Sequence, residues 1–245
     1  MFKATVKPEV LKEVVDVVST LVDEAKFTVS KKEITVKAVD PAHVAMVDLK
    51  LDKEAFEEYK ADDTELGMSL DKLKEVLRLT RAGDVITIEH DEEKNRIVFK
   101  VGNVTRRMAL VDTAGMSDPK VPNLNLPVNV RISTEELRQG IRASETISDH
   151  VAFLATSDGF RIVSEGDTDS MDLYLPREML EELDCKDGVR SLYPLDYFSS
   201  MVKAISTAPS VMMLMGNDYP VKIEFTIAHG KGDARYLLAP RIETS

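Results

Sequence analysis

The sequence predicts an α+β fold made of two tandem copies of one domain, in which helices cover one face of antiparallel sheets. Three features lead to this prediction: an apolar pattern that recurs after 126 positions, alternating stretches that follow each helical stretch, and a proline-rich segment between the halves. The recurrence places Leu11 on Leu137 and Phe27 on Phe153. A chain of 245 residues, 43% of them hydrophobic, can bury two cores of ordinary domain size.

The first copy is predicted to contain two helices and about eight strands. One helix begins at Pro8, whose fixed φ suits a first turn, and runs to about Asp23. The other runs from about Asp71 to Arg81. Period-two alternation predicts strands at Phe2–Val6, Lys26–Ser30, Glu33–Val39, His43–Leu51, Val85–Glu89, Arg96–Val101 and Val104–Val111.

The second copy repeats this order of elements. Ser133 with Glu136 three residues later is a capping-box pattern, and it predicts a helix that runs to about Ile147. A second helix is predicted at Leu195–Thr207. The strands are predicted at Val128–Ile132, His150–Thr156, Gly159–Glu165, Ser170–Leu175, Val211–Met215, Pro220–Ile227 and Ala234–Ala239.

The segment between the copies is predicted to be a linker. It contains Gly115, Pro119, Pro122 and Pro127, and three prolines in so short a span oppose both helix and central strand. We therefore expect an N-terminal domain at residues 1–111, a connecting loop at 112–127 and a C-terminal domain at 128–245.

Composition and motifs exclude several classes of function. The net charge of −11 and the pI of about 5.0 oppose a protein covered in basic patches, although they also fit an adaptation to high salt. The single cysteine fits a reducing compartment, and the sequence shows neither an export leader nor an apolar run near 18 residues, so we expect no membrane partner. No P-loop and no nucleophile elbow is present, and the histidines lack ligand spacing. We expect no catalytic residue, no cofactor and no bound metal.

Three stretches make the chain resemble a known family. They are the opening MFKA, the run DPAHVAMVDL at Asp40–Leu49 and the tail LAPRIE at Leu238–Glu243. Together they resemble the proliferating cell nuclear antigen family, the replication sliding clamps of archaea and eukaryotes. The resemblance implies a fold in which helices line the inside of a trimeric ring and antiparallel sheets lie outside.

The resemblance also implies a function. It implies a homotrimer that encircles double-stranded DNA without catalysis and tethers DNA polymerase, the clamp loader (replication factor C), flap endonuclease and DNA ligase. The expected location is the cytoplasm, at the nucleoid, in an archaeal cell and the nucleus in a eukaryotic one. An acidic oligomeric scaffold that binds peptides and does not encircle DNA is the alternative.

The polar faces of the predicted helices carry the residues expected to face DNA. Twelve helices side by side at roughly 10 Å would enclose an opening of roughly 28 Å, which is wide enough for a hydrated B-form duplex. The same faces also carry acidic residues, so ordinary solvated helix surface is the alternative interpretation. The candidate cations are Lys12, Lys72, Lys74, Arg78, Arg81, Arg138, Arg142 and Lys203.

Two predicted edge strands carry opposite charges that suit a joint between subunits. Arg106 and Arg107 lie on the last strand of the first copy, whereas Asp167, Asp169 and Asp172 lie on or before a strand of the second. Opposite charges would set register and partner choice when the strands pair. Charges that simply prevent edge pairing are the alternative.

The resemblance finally implies a pocket beneath the linker that accepts a short helical turn of a partner. Apolar residues left exposed on an acidic protein would suit such helix-in-groove binding. Val44 and Met46 could instead be the inward half of a strand. The candidate pocket residues are Val39, His43, Val44, Met46, Val121, Pro220, Leu237, Leu238, Ala239 and Pro240.

Overall fold

The structure, a computed structural model, describes residues 1–116, 118–205 and 207–242. Ser117 of the linker, Ser206 of the last predicted helix and Glu243 of the tail motif lie outside these ranges. The chain divides into two compact units. Unit 1 is Met1–Lys120 with Thr226–Ala234, and unit 2 is Val121–Phe225 with Arg235–Ser245.

The first repeat contains two helices and nine strands among its described residues. Pro8 occupies the first turn of the first helix, and the Ser69 hydroxyl accepts a hydrogen bond from the Lys72 N–H at the start of the second. The elements are β1 (Phe2–Val6), α1 (Pro8–Val18), β2 (Glu24–Val29), β3 (Glu33–Val39), β4 (Ala45–Asp52), β5 (Glu58–Ala61), β6 (Thr64–Ser69), α2 (Leu70–Leu77), β7 (Ile86–Asp91), β8 (Arg96–Val101) and β9 (Val104–Ala109).

Two sets of antiparallel strands build unit 1. One sheet has the order β5-β1-β7-β8-β9, and in the other set β4, β3, β2 and β6 follow one another. Residues Gly232–Ala234, which belong to unit 1, lie against β4: a Cβ on Gly232 would lie 2.8 Å from the Lys50 carbonyl oxygen. The helices α1 and α2 pack beside each other and bury their apolar faces, including Val15 and Leu73, in the core with Phe99.

The second repeat has the same composition of elements. The Ser133 hydroxyl accepts a hydrogen bond from the Glu136 N–H at 3.1 Å, as the capping pattern predicts. The elements are β10 (Val128–Ser133), α3 (Thr134–Ser144), β11 (His150–Thr156), β12 (Gly159–Glu165), β13 (Ser170–Pro176), β14 (Glu182–Asp184), β15 (Val189–Pro194), α4 (Leu195–Ala204), β16 (Ser210–Met215), β17 (Val221–Ile227) and β18 (Gly232–Leu238).

The core of unit 2 is more aromatic than that of unit 1. Its sheet of order β13-β12-β11-β15 carries Phe153, Phe160 and Tyr193 on the inner face, and the Phe153 ring packs against Phe198 of α4 at a centroid distance of 4.8 Å. The remaining strands have the order β14-β10-β16-β17-β18. Gly140 lets α3 approach this sheet closely. A Cβ there would lie 2.7 Å from Ile162 Cδ1.

The repeat predicted from the apolar pattern is present, because both halves have the element order βαβββββαβββ. The repeats also end in the same way. After β9, the Val111 N–H donates to the Gly67 carbonyl at 2.8 Å; after β18, the Arg241 N–H donates to the Leu192 carbonyl at 2.7 Å. We call these two hydrogen bonds the edge closures, because each places chain along the outer side of β6 or β15.

Four strands were not predicted, and all four helices end earlier than expected. The strands β5, β6, β14 and β15 are short or rich in polar residues, so they alternate weakly. The helices end at Val18, Leu77, Ser144 and Ala204. The Thr20 hydroxyl donates to the Asp16 carbonyl and the Thr80 hydroxyl donates to the Leu77 carbonyl, so side chains satisfy carbonyls that a further turn would use.

The proline-rich segment has no regular element in residues 112–116 and 118–127, the part that the structure describes. A local turn forms where the Asp112 carboxylate accepts the Ala114 N–H at 3.0 Å. Among the described residues, no helix has the length and apolar character needed to cross a membrane.

Candidate DNA and partner interfaces

The polar faces of α1 and α2 carry cations in two different states. Lys12 forms an ion pair with Asp16 on α1, and Lys74 forms one with Asp71 at 3.3 Å on α2. Because α2 ends at Leu77, the candidates Arg78 and Arg81 lie at and beyond the helix end rather than within it. Lys72, Arg78 and Arg81 are exposed.

The polar faces of α3 and α4 likewise carry both a cation that is paired with a carboxylate and cations that, among the described residues, are not. Lys203 on α4 lies 3.5 Å from the Glu145 carboxylate at the end of α3. The Ser199 hydroxyl also donates to that carboxylate and, with Lys203, lowers the pKa of Glu145. Arg138 and Arg142 lie on α3. In the described part of the chain, no carboxylate lies within 4.0 Å of the charged groups of five candidate cations: Lys72, Arg78, Arg81, Arg138 and Arg142.

The strands β9 and β13 are each the outermost strand of a sheet. On β9, the Arg106 guanidinium pairs with Glu75 of α2, whereas Arg107 points to the other face of the strand and is exposed. On β13, Asp172 pairs with Arg161 of the neighbouring strand. Asp167 and Asp169 lie in the turn before β13 and are exposed. Arg106 and Asp172 are therefore already paired within the chain.

In unit 1, the candidate pocket residues lie on a turn that one buried carboxylate organises. Asp40, 4% exposed, accepts the Ala45 N–H at 2.7 Å, the Val44 N–H at 2.8 Å and the Ala42 N–H at 3.1 Å. The turn also places His43 in the left-handed region with a φ of 57°. Sequence reasoning missed this role of Asp40, although an aspartate just before Pro41 is a frequent sign of such turns.

Exposure divides the candidate pocket residues of unit 1. His43 is exposed, and Val39 and Val44 are partly exposed, so all three can contact another molecule. Met46 is only 6% exposed, but it pairs across the strands with the partly exposed Val39 and therefore lies on the same face of the sheet as Val39. The inward face of β4 is formed instead by Val47 and Leu49, so the register does not support the inward-facing alternative for Met46.

The candidate pocket residues of unit 2 divide in the same way. Leu238, 0% exposed, lies on the core face of β18 with Tyr236, whereas Leu237, 5% exposed, lies on the other face with Asp233 and Arg235. Four residues remain partly exposed and available for contact: Val121, Pro220, Ala239 and Pro240. The accessible candidates of both units are thus valines, prolines, an alanine and a histidine.

Two features bear on reactive chemistry, the surroundings of Cys185 and the spacing of the potential metal ligands. Cys185 is a buried free thiol. Burial, together with Asp187 and Asp184, raises the pKa of the Cys185 thiol, which opposes formation of a thiolate. Within residues 1–116, 118–205 and 207–242, no group of three or more histidine, cysteine, aspartate or glutamate residues is placed to hold a metal ion.

Comparisons with known proteins match the whole chain. Residues 1–116 match the family model of the proliferating cell nuclear antigen N-terminal domain, and residues 120–241 match that of its C-terminal domain. The chain is 39% identical over 246 residues to the DNA polymerase sliding clamp of Methanococcoides burtonii and 40% identical over 245 residues to that of Methanocella arvoryzae. Both alignments cover all of each protein.

A solved structure agrees with these matches. The chain superposes on the A. fulgidus PCNA bound to the C-terminal region of FEN-1 with a TM-score of 0.94 and 30% identity, and the match covers both chains completely. The PCNA of Thermococcus kodakaraensis has the same fold, with a TM-score of 0.90 at 23% identity, covering 98% of this chain and all of that one.

Proposed function

This chain belongs to the proliferating cell nuclear antigen family, and from this membership we propose that it is a DNA sliding clamp. It encircles duplex DNA as a homotrimer and, as a processivity factor, tethers DNA polymerase and other replication and repair enzymes. The observation that carries the proposal is the full-length match of both repeats to clamp domains. The proposal assigns no catalysis and no cofactor to the chain. We propose an N-terminal clamp domain at residues 1–111, a connecting loop at 112–127 and a C-terminal clamp domain at 128–245.

The homotrimer forms when β9 of one copy pairs with β13 of the next. Such a head-to-tail contact uses two different surfaces and closes at a fixed rotation. The exposed charges Arg107 on β9 and Asp167 and Asp169 before β13 support this pairing. Because Arg106 and Asp172 are paired within the chain, Arg107 is the arginine that we assign to the joint.

Native mass spectrometry of a charge reversal tests the joint. We expect Arg107→Glu to convert the trimer to single chains at moderate salt, because it places a carboxylate opposite Asp167 and Asp169. Lys94→Glu reverses an exposed charge in the turn between β7 and β8 and is the matched control. A trimer that survives Arg107→Glu unchanged would remove the charge argument for this interface.

DNA is held through phosphates by cations on the helices and, for Arg78 and Arg81, at and beyond the end of α2. The five cations without a carboxylate within 4.0 Å in the described residues support this assignment more strongly than Lys12, Lys74 and Lys203, which are already paired. Contacts to phosphates carry no sequence information, so they allow the ring to slide. Binding is expected to weaken steeply as salt rises.

Partner enzymes are held by short peptides that contact the accessible candidate residues. We assign this role to Val39, His43, Val44, Val121, Pro220, Ala239 and Pro240. A peptide from the C-terminal region of FEN-1 binds the A. fulgidus protein, which supports flap endonuclease as a partner here. The clamp loader and DNA ligase are assigned as further partners, and the cytoplasmic nucleoid of an archaeal cell as the location.

Retention on circular DNA tests the function as a whole. Loaded by the clamp loader onto nicked circular DNA, the chain is expected to stay on the circle and to leave once a nuclease linearises it. Equal retention on circular and linear DNA would favour the acidic peptide-binding scaffold instead. Loss from both forms at low salt would reject the clamp.

A further inference from the structure

Lys26 is a buried lysine in unit 1 whose charge the proposed function does not use. It lies on β2, and its side chain is 8% exposed. Its ammonium lies 2.8 Å from the Asp118 carboxylate and 3.4 Å from that of Glu65. Because an unpaired charge is costly to bury, this lysine depends on its two carboxylates.

The partner Asp118 lies 92 residues later, in the proline-rich linker. The linker reaches Lys26 by passing over the neighbouring strand. Gly67 is the cross-strand neighbour of Lys26, and a Cβ on Gly67 would lie only 2.2 Å from the Val111 carbonyl oxygen. The absence of a side chain at Gly67 thus lets the chain that leads into the linker approach the sheet. The ammonium of Lys26 then pairs with Asp118 of the linker.

The second repeat shows that the sheet itself does not require a lysine here. The pair Lys26 and Gly67 corresponds to Ala152 and Leu192, which face each other across β11 and β15. Ala152 is 5% exposed, so the same place in the fold is filled by a small apolar side chain. The lysine occurs in the repeat whose last strand leads into the linker. Its role therefore concerns the linker.

We propose that Lys26 is a positioning residue for partner binding. Its ammonium holds Asp118 and thereby fixes the first half of the linker, three residues before Val121, which we assigned to partner peptides. This inference rests on the proposed function. Glu65 supports it by sharing the ammonium, and the hydrogen bond from Lys26 to Asp118 raises the pKa of Lys26, so the anchor keeps its charge at neutral pH.

Hydrogen exchange tests the anchor without any partner. The Met116 N–H donates to the Thr113 carbonyl at 2.9 Å, so its exchange reports opening of the linker beside Asp118. We expect Lys26→Met and Asp118→Asn each to speed this exchange about tenfold or more, because a hydrogen-bonded charge pair is removed. Asp118 is exposed, so its variant tests the contact even if Lys26→Met folds poorly.

Peptide titration tests the positioning role in the same variants. If peptide binding requires the ordered linker, the apparent affinity falls in proportion to the fraction of chains in which the linker is ordered. We therefore expect the Kd of a peptide from a flap endonuclease C-terminal region to rise about threefold to tenfold. Lys26→Arg keeps the charge and should restore most of the affinity. Lys37→Met removes an exposed lysine of the adjacent strand β3 and should change neither measurement.

The two measurements separate the possible failures. Unchanged exchange at Met116 in both Lys26→Met and Asp118→Asn would overturn the anchor. Faster exchange with an unchanged Kd would overturn its role in partner binding. If the wild-type chain binds no peptide, the proposed function fails, whereas the exchange result still decides whether Lys26 holds the linker.

Discussion

Replacing Asp40 by alanine is expected to release the turn that presents His43 and Val44. The carboxylate is 4% exposed and accepts three backbone N–H groups at distances between 2.7 and 3.1 Å. Without it, His43 loses the neighbours that hold its backbone at a φ of 57°, a conformation that non-glycine residues adopt infrequently. Both stability and partner binding should therefore fall.

The size of the effect follows from which donors are left without any acceptor. A hydrogen bond to a charged group contributes about 1.5–3 kcal/mol, and a buried donor left without a partner costs a similar amount. Ala45 is 3% exposed, so its N–H cannot be reached by bulk water, whereas the N–H groups of Ala42 and Val44 are nearer the surface. We therefore expect Asp40→Ala to lower the free energy of unfolding by about 3 kcal/mol in total.

Urea denaturation of the full chain at fixed protein concentration, followed by circular dichroism, measures this decrease. The same variant should bind a flap endonuclease peptide more weakly. Asp62→Ala removes an aspartate whose side chain is 62% exposed, and it should leave the transition in place. An Asp40→Ala chain that unfolds at the wild-type urea concentration would refute the view that this carboxylate holds the turn.

Three further predictions concern the helices and one histidine. Arg142→Ala is expected to lower the slope of log Kd against log salt for duplex DNA by about 0.9 for each phosphate that is no longer neutralised. Lys203→Ala removes a cation already paired with a carboxylate, so it should lower the slope less. Equal slopes in the two variants would contradict our choice of DNA-facing cations. Gly140→Ala should destabilise the chain by about 1–2 kcal/mol in urea denaturation, because its methyl group would lie 2.7 Å from Ile162 Cδ1 and overpacking outweighs the better helix propensity. Burial and a neighbouring arginine lower the pKa of His150 below its unfolded value of 6.5. The unfolded chain therefore binds the proton more readily, and the free energy of unfolding should decline as pH falls below about 6.5. In His150→Gln this part of the pH dependence should vanish.

The repeat and its core could be predicted because local periodicity determines which side chains face inward. Leu11 and Leu137 are both buried, as are Phe27 and Phe153, at positions that the 126-residue shift assigns to one another. The strands Glu33–Val39, Arg96–Val101, His150–Thr156 and Gly159–Glu165 were predicted with their observed bounds for the same reason. Alternation within a few residues is sufficient to specify such elements.

The details of the interfaces could not be predicted, because they depend on contacts between residues distant in sequence. Nothing near Lys26 indicates that its carboxylate partner lies 92 positions later. The strand predicted from His43 begins at Ala45 instead, because the Asp40 side chain takes the backbone N–H groups that would start it. The exposure of the pocket candidates could not be predicted either: Met46, Leu237 and Leu238 are at most 6% exposed, whereas His43 is exposed.

The edge closures have a consequence for how copies of the chain recognise each other. A free strand edge exposes a row of unpaired N–H and C=O groups, which any other chain can extend into a larger sheet or an aggregate. Here β6 and β15 are blocked by the chain that follows each repeat, and β5 and β14 have only four and three residues. No described residue blocks the longer edges β9 and β13 in this way, so association at the other edges is suppressed while these two stay free for the pairing that we propose. Mutations that detach Val111 or Arg241 should accordingly promote fibrous or amorphous association at the edges of β6 and β15.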